Sequence, residues 1–354
     1  AEHGSYHSKT SRGLQPARTS PRVKNYLILT FFQHRSSLSR GDSAKLIPMP
    51  IREKELVAWL TQRLAPQRSD VQLGVGDDMA ILSPSANVVA VTTDMLLDGV
   101  HFDTSSQNYE AVGQKAIACS LSDCAGMACK PVAATVSLAL PNTIELNDVK
   151  SLYEGMIRMA DEFNCAIVGG DTTVWPGKLA IDVAMLAEPA NTRGPIRRST
   201  AKPGDAVFVT GPLGGSYLGK HLTFTPRLSL AAQLAADEGV HALMDISDGL
   251  SLDLHRLASA SKLAAELDAK QLVAIISDDA YRAAIDDDRA PLLHALSDGE
   301  DFELLVTGDA ALADRHADLT RVGQIVEPAS NVGELWLIDS RGRQPLEPAG
   351  YQHG

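Results

Sequence analysis

The stretch Gly74-Val75-Gly76-Asp77-Asp78-Met79-Ala80, followed after a short apolar segment by Thr92-Thr93-Asp94-Met95-Leu96, decides how the rest of the chain is interpreted. It sets acidic and hydroxyl side chains among residues that otherwise resemble buried strands and tight turns. Aspartate is depleted in strands and is rarely buried unless a positive group meets it. Oxygen ligands favour a hard cation, so the stretch predicts a Mg²⁺ site.

The same context recurs further along the chain, where an apolar run meets an aspartate beside Gly, Ser or Thr. We expect a strand over 88–93 that ends at Asp94, a helix over 109–128 that carries Asp123 near its end, and a strand over 165–168 that runs into Asp171. The aspartates in this context are Asp77, Asp78, Asp94, Asp123, Asp171, Asp245 and Asp248. A single such aspartate is usually a helix cap or a turn former. If all seven converge, their repulsion requires several cations among them.

Length and charge limit the class of protein. A chain of 354 residues suits two domains, and 44% hydrophobic with 21% charged residues is typical of a globular protein. The formal net charge of -12 argues against non-specific binding to nucleic acid. No apolar run approaches the ~18 residues that a membrane helix needs. We therefore expect neither a nucleic-acid partner nor a membrane.

Three of the four cysteines, Cys119, Cys124 and Cys129, recur every five residues through the helix predicted over 109–128. That spacing rotates each thiol away from the last, so they share no metal-binding face. We expect buried, unpaired thiols and, with them, a reducing cytoplasmic setting.

The charge balance changes sign near residue 48. Residues 1–48 hold eight basic and two acidic residues, which leaves 24 basic and 42 acidic residues for the remainder. We expect 1–48 to be a disordered or misannotated extension rather than the alternative, a transit-like or nucleic-acid-binding arm, since Met49 precedes an amphipathic helix and would be a natural start. The other predicted parts are an N-terminal domain over 49–187, a linker over 188–205 rich in Pro, Gly and Arg, and a C-terminal α/β domain over 206–354.

A glycine-rich turn in the second half nearly matches a phosphate-binding P-loop. Gly214, four residues, Gly219 and Lys220 fit the pattern, but His221 stands where the motif requires the Ser or Thr that holds Mg²⁺. We therefore interpret it as a strand-to-helix turn. Several Mg²⁺ ions, glycine turns and an arginine still indicate phosphoryl transfer, in which metals neutralise phosphate oxygens. No Ser-His-Asp or Cys-His pattern stands out, so a covalent catalytic nucleophile is not expected.

Taken in order, the acidic motifs resemble those of the thiamine-monophosphate kinases, over about residues 49 to 354. The matching segments are Gly76-Asp77-Asp78-Met79-Ala80, Thr92-Thr93-Asp94-Met95-Leu96, Gly99-Val100-His101-Phe102, Leu121-Ser122-Asp123, Gly169-Gly170-Asp171-Thr172, Arg198-Ser199, Ile246-Ser247-Asp248-Gly249-Leu250 and Gly299-Glu300-Asp301-Phe302-Glu303-Leu304. This family belongs to the aminoimidazole ribonucleotide synthetase superfamily. The resemblance implies a mixed α/β (α+β) two-domain fold whose N-terminal domain forms a β-barrel with a second subunit, hence a homodimer.

The resemblance also implies a reaction and its residues. ATP, as co-substrate, would phosphorylate thiamine monophosphate to thiamine diphosphate by direct transfer with several Mg²⁺ ions. The implied Mg²⁺ ligands are Asp77 or Asp78, Thr92, Thr93, Asp94, Asp123, Asp171, Asp245 and Asp248. The implied ATP contacts are Tyr153, Gly170, Asp171, Arg198 and Ser247. The implied substrate contacts are His101, Glu300 and Tyr351. The family's Gly-aromatic-x-His-Phe ending is only partly matched, because Gly354 replaces the phenylalanine.

Three alternatives remain at this stage. A selenophosphate synthetase needs a reactive Cys or selenocysteine before its first acidic motif, and no Cys precedes Cys119. The purine-pathway synthetases have Gly-Thr-Lys where this chain has His101-Phe102. A non-catalytic divalent-cation binding protein would account for the aspartates but not for Arg198 or the glycine turns.

Overall fold

The computed structural model describes residues 27–30, 53–64, 69–73, 79–82, 84–85 and 88–352. Its strands are β1 (Leu27–Thr30), β2 (Val71–Leu73), β3 (Met79–Leu82), β4 (Ala90–Leu97), β5 (Cys129–Pro141), β6 (Ala166–Trp175), β7 (Ala180–Pro189), β8 (Ala206–Val209), β9 (Val240–Ile246), β10 (Ala264–Asp268), β11 (Glu303–Gly308), β12 (Thr320–Val326), β13 (Leu335–Asp339) and β14 (Gly342–Pro345). Its helices are α1 (Glu53–Arg63), α2 (Tyr109–Gly126), α3 (Leu146–Glu162), α4 (Lys220–Thr223), α5 (Leu228–Ala236), α6 (Leu250–Ala260), α7 (Ala269–Leu272), α8 (Asp278–Asp287), α9 (Pro291–Ser297) and α10 (Leu312–Arg315).

The N-terminal half is built on a four-stranded sheet in the order β4-β7-β5-β6, with β5 and β6 parallel and the other pairs antiparallel. Helices α2 and α3 pack closely against each other. A Cβ added to Gly113 would lie 1.9 Å from the carbonyl oxygen of Leu152, and one added to Gly155 would lie 1.9 Å from that of Glu110. The two helices therefore approach each other backbone to backbone, which only glycine permits at these positions.

A small three-stranded sheet in the order β1-β3-β2 accompanies the first one. Val71 and Leu82 share an apolar cluster with Val132, Val168 and Leu186 of the larger sheet. Strand β1 lies within the segment 1–48 and pairs with β3 over four residues. The expectation that this segment is dispensable remains a prediction.

The C-terminal half is a seven-stranded sheet in the order β14-β13-β10-β12-β8-β11-β9. One face buries Phe208, Leu243 and Leu304 in a core that continues into α2 of the N-terminal half. The other face buries Val207 and Leu305 against α6 and its neighbours. Burial on both faces explains the unbroken apolar sequence of β8 and the apolar run Leu304-Leu305-Val306 of β11.

Two strands extend beyond the ends predicted from sequence. Strand β4 continues to Leu97 and β6 to Trp175, so Asp94 and Asp171 lie inside strands, and their expected positions at strand ends were wrong. Cross-strand pairing explains the extension. Asp94 is opposite Val183 of β7, and Asp171 is opposite Ser137 of β5, so pairing with the partner strands extends β4 and β6 through Gly and Asp, which disfavour strands on their own.

In the part of the chain that the structure describes, the N-terminal sheet is open, with β4 and β6 at its edges. The fold is thus mixed α/β in two parts, while closure into a barrel with a second subunit is not a property of the single chain. All four cysteines are buried and form no disulfide, which confirms the prediction of buried thiols for Cys119, Cys124 and Cys129. No helix among the described residues is long and apolar enough to cross a membrane.

Candidate active site

Three of the predicted aspartates lie near enough to affect one another's ionisation where the two halves of the protein join. Asp94 comes from β4, Asp123 from α2 and Asp245 from β9. Burial, and then the charge of Asp123, raises the pKa of Asp94 to about 6 and that of Asp245 to about 8. Burial also raises the pKa of Asp123. Three carboxylates that disfavour one another's ionised forms are a suitable environment for a cation.

Hydroxyl groups of α2 hold two of these carboxylates. Ser120 Oγ donates to Asp94 Oδ2 at 2.5 Å, and Ser122 Oγ donates to Asp245 Oδ2 at 2.7 Å. Helix α2 therefore fixes aspartates from both halves of the protein. It contacts β9 closely, since a Cβ added to Gly126 would lie 2.8 Å from the backbone nitrogen of Asp245.

The two threonines of β4 point in opposite directions, as successive residues of a strand must. Thr92 Oγ1 donates to Asp123, whereas Thr93 Oγ1 donates to Asp182 of β7 at 3.0 Å. Their side chains thus face different sides of the sheet. That both hold Mg²⁺ remains a prediction.

Asp171 acts electrostatically on Tyr153, another residue that the resemblance implies. Burial raises the pKa of Tyr153 to about 12, and the charge of Asp171 contributes to the rise. Asp171 accepts a hydrogen bond from the backbone of Thr172 at 2.8 Å. Position 170 requires glycine, because a Cβ there would lie 1.8 Å from the carbonyl oxygen of Val136 on β5.

The turn that holds Ser247 and Asp248 is organised by Asp253, which the sequence analysis missed. Asp253 Oδ2 accepts from the backbone nitrogens of Ser247 at 3.1 Å and Asp248 at 2.9 Å. Arg256 bridges the carboxylates of Asp248 and Asp253. Asp253 is fully buried, and burial raises its pKa to about 6. An acid in the first turn of α6 was the available signal, but capping accounts for such acids too often to single it out.

A cavity of about 400 Å³ opens beside these aspartates, within the range of small-molecule sites. Its lining includes Thr92, Asp123, Asp245 and Arg198, together with apolar side chains such as Met185. The positive charge of Arg198 acts on Asp123 and lowers its pKa against the effect of burial. An apolar wall that ends in a guanidinium group and carboxylates suits a nucleotide whose phosphates are bridged by metal.

Two predicted substrate contacts are joined by a buried lysine that the sequence analysis missed. Lys115 of α2 has no solvent exposure, and its Nζ lies 2.9 and 2.8 Å from the two carboxylate oxygens of Glu300. The same Nζ donates to the carbonyl oxygen of His101. The signal was a single lysine beside the apolar residues of α2. The role of this lysine can be interpreted only when its partner carboxylate, 185 residues away in the sequence, is known.

The third predicted substrate contact joins the same group. The rings of His101 and Tyr351 meet edge to face, with centroids 6.4 Å apart. His101 Nδ1 accepts from the backbone nitrogen of Leu97 at 3.0 Å, which puts the proton of the neutral ring on Nε2. Tyr351 is anchored by its backbone nitrogen, which donates to the carbonyl oxygen of Asp248 at 2.9 Å.

The glycine-rich turn after β8 does not offer a phosphate cradle. The backbone nitrogens of Gly214 and Gly215 donate to the carboxylates of Asp301 at 2.9 Å and Asp298 at 2.8 Å. Lys220 donates to Glu303 at 3.0 Å. The groups that would bind phosphate in a P-loop are therefore engaged by acids, in agreement with the interpretation as a turn.

The described residues do not form a complete set of the predicted Mg²⁺ ligands. Asp77 and Asp78 lie outside the described residues. Within the described ranges, no three His, Cys, Asp or Glu side chains already converge as a metal centre. The hydroxyl contacts of Asp94, Asp123 and Asp245 are consistent with this, because each carboxylate is turned towards a Ser or Thr.

Comparison with known proteins identifies the family. The model of AIR synthase related proteins matches over residues 76–188 for its N-terminal domain and 202–334 for its C-terminal domain. The thiamine-monophosphate kinase of Rhodopirellula baltica is 39% identical over 318 residues, which cover 85% of this chain and 97% of that protein. The chain belongs to the thiamine-monophosphate kinase family.

Solved structures of similar proteins agree with this family assignment. The thiamine-monophosphate kinase of Stenotrophomonas maltophilia K279a is 32% identical with a TM-score of 0.66, covering 80% of this chain and 94% of that one. AaThiL complexed with AMPPCP and TMP is 29% identical with a TM-score of 0.66, covering 86% of this chain and 99% of that one. The thiamine-monophosphate kinase fold thus accounts for both halves of the protein.

Proposed function

We propose that this protein transfers the terminal phosphoryl group of ATP to thiamine monophosphate, giving ADP and thiamine diphosphate. The observation that carries the proposal is the arrangement along α2. Asp123, near one end, meets Asp94 and Asp245, and Lys115, nearer the other end, meets Glu300 and His101. Similarity to AaThiL, which is complexed with AMPPCP and TMP, supports the same pair of substrates, since AMPPCP is an analogue of ATP.

Mg²⁺ is part of this proposal. The fit rests on oxygen donors alone and on the raised pKa values of Asp94 and Asp245, whose ionised forms need a positive neighbour. The ions would be held by the carboxylates of Asp94, Asp123, Asp171, Asp245 and Asp248. Asp77 or Asp78, which lie outside the described residues, would supply a further carboxylate. When bound, Mg²⁺ would neutralise charge on the transferred phosphoryl group.

The residues of the chain then position the two reactants. Arg198 can pair with phosphate oxygens of ATP at the mouth of the cavity of about 400 Å³. His101, with its proton on Nε2, can donate a hydrogen bond to the acceptor. An oxygen of the acceptor phosphate bonds to the γ-phosphorus while the bond to the β–γ bridging oxygen breaks, so ADP leaves without a phosphoenzyme. The protein must also exclude water from the site, because water would otherwise accept the phosphoryl group.

The test is direct. Purified protein incubated with ATP, Mg²⁺ and thiamine monophosphate should form thiamine diphosphate and ADP in equal amounts, measured by chromatography, and EDTA should abolish both. Clear ATP binding without thiamine diphosphate would reject the proposal. Cation binding without ATP binding would instead favour the non-catalytic cation-binding alternative.

We also propose that the protein works as a homodimer formed through β4. This edge strand presents Val91, 68% exposed, and Met95, 62% exposed, on the same outer face. Unprotected apolar edge strands are normally covered by another chain or blocked by charge. A second copy, as the family resemblance implies, would cover this face and place the edges of two sheets together.

The setting proposed for the enzyme is the cytoplasm. Cys119, Cys124, Cys129 and Cys165 are all buried thiols, and burial raises the pKa of each of the first three. Such thiols are unreactive and suit a reducing compartment. Localisation of the tagged full chain by fractionation would test this.

A further inference from the structure

Tyr217 stands between the two cavities that contain the predicted substrate contacts. It lies in the 3-10 turn Ser216–Leu218 after β8, and 48% of it is exposed. It lines a cavity of about 570 Å³ that also contains His101. It equally lines a cavity of about 410 Å³ that also contains Tyr351. A ligand that extends from one cavity into the other must pass its ring.

The turn that carries Tyr217 is held firmly despite this exposure. Ser216 Oγ donates to the carbonyl oxygen of Gly299 at 2.6 Å. Gly215 has a φ of 71°, and a Cβ there would lie 2.3 Å from the backbone of Asp279. The ring of Tyr217 also packs on that of His221, with centroids 5.2 Å apart. A large aromatic ring is therefore presented to solvent by a rigid backbone, which favours recognition at low entropic cost.

The surroundings of Tyr217 are acidic. Burial raises the pKa of its hydroxyl, and the charges of Glu300, Asp298 and Asp248 raise it further. Each of these acids has a basic neighbour, and the acids outnumber the bases. Even with the imidazole of His294, which contacts Asp298 and Asp287, the bases Lys115, Arg289 and Arg256 are fewer than the acids that they face, which are Glu300, Asp298, Asp287, Asp248 and Asp253. The local excess of negative charge favours a cationic ligand.

We propose that Tyr217 and Tyr351 hold the cationic heterocycle of the phosphate acceptor between them, which makes Tyr217 a specificity-determining residue. The inference rests on the proposed function, whose acceptor carries a permanently charged thiazolium ring beside a flat pyrimidine. The face of an aromatic ring attracts such a cation, and more strongly when water is excluded. The phosphate group of the acceptor then extends towards His101.

The test compares substitutions of Tyr217 in the full chain. Tyr217→Leu keeps apolar volume but loses the ring face, and Tyr217→Phe keeps the ring but loses the hydroxyl. The expected result for Tyr217→Leu is a KM for thiamine monophosphate raised by about 2- to 30-fold, the range of a cation–π contact, with the KM for ATP unchanged. Tyr217→Phe should raise that KM less than Tyr217→Leu does, because it keeps the ring face. The matched control is Tyr281→Ala, since Tyr281 is also 48% exposed but lies on α8.

A second measurement addresses charge. Thiochrome monophosphate is a flat analogue without the positive ring charge, and its affinity relative to thiamine monophosphate is measured by competition. The wild type should prefer the cation, and Tyr217→Leu should lose most of that preference. An unchanged KM and preference in Tyr217→Leu would overturn the inference, as would equal damage in Tyr217→Phe. If the wild-type protein makes no thiamine diphosphate, the proposed function fails first, so the two failures are distinguishable.

Discussion

Replacing Lys115 by methionine would leave the Glu300 carboxylate without the ammonium group that it contacts at 2.8 Å. The lysine side chain is fully buried and that of Glu300 is 12% exposed, so solvent cannot replace the lost partner. Removing one member of a buried ion pair typically costs about 3–5 kcal/mol of unfolding free energy. The loss should therefore be a large share of the ~5–15 kcal/mol that holds a domain together.

The loss should depend on pH in a defined direction. Burial already raises the pKa of Glu300 above 4.5, and Lys115 opposes that rise. Without Lys115 the pKa rises further, so protonated Glu300 is favoured in the folded state. A group whose pKa is raised on folding stabilises the protein at low pH and loses that contribution as pH rises through the folded pKa. The destabilisation of Lys115→Met should thus be largest near pH ~8 and shrink towards pH ~5.

Urea unfolding of the wild type, Lys115→Met, Glu300→Gln and the double variant measures the effect. The double variant should lose less than the sum of the single variants, because it leaves no buried charge. The control is Arg63→Met, whose partner Glu154 lies at 3.0 Å on the surface and should contribute only ~0–1 kcal/mol. A Lys115→Met cost as small as that of the control, or additive single effects, would refute the reasoning.

Further predictions concern the aspartates, the dimer and the amino terminus. Asp123→Asn should lower turnover by orders of magnitude while the thermal unfolding midpoint stays unchanged or rises, because it relieves repulsion on Asp94 and Asp245; near-normal turnover would show that the metal site lies elsewhere. Met95→Lys should shift the protein from dimer to monomer in sedimentation, whereas Val273→Lys, at a residue 58% exposed outside β4, should not; a wild-type monomer would refute the β4 interface. A chain beginning at Met49 should keep full activity in the thiamine diphosphate assay, and failure of that chain to fold would show that β1 is required.

The elements predicted best from sequence are those with long apolar periodicity. The expected helix over 109–128 corresponds to α2, Tyr109–Gly126, and a helix expected from 146 to 163 corresponds to α3, Leu146–Glu162. Strands β4 and β6 were predicted too short. Asp94 and Asp171 lie inside these strands because β4 pairs with β7 and β6 pairs with β5. Pairing is a tertiary property, and local composition does not report it.

Within the candidate site, some of the residues named from sequence lie close together, while their roles stay predictions. Asp94, Asp123 and Asp245 do come together, and so do His101 and Tyr351, although that second pair came only from the family resemblance. Lys115 and Asp253 were missed because their importance lies in partners distant in sequence or in the backbone of a turn. Tyr217 had no local signal, since an exposed tyrosine in a turn is unremarkable until the cavities beside it are known.

Helix α2 also fixes the distance between its contacts with the C-terminal half. Lys115, Ser122 and Gly126 are seven and four residues apart, so they lie along one stripe of the helix, and each contacts the C-terminal half. At 1.5 Å per residue the stripe is about 16 Å long. One inserted residue between Lys115 and Ser122 would turn the far end by about 100° and lengthen the stripe by about 1.5 Å, so both ends could not remain docked together. Substitutions can therefore alter the contacts at either end, but the distance between the two proposed binding regions depends on the number of residues between them. We expect this part of α2 to tolerate neither an insertion nor a deletion.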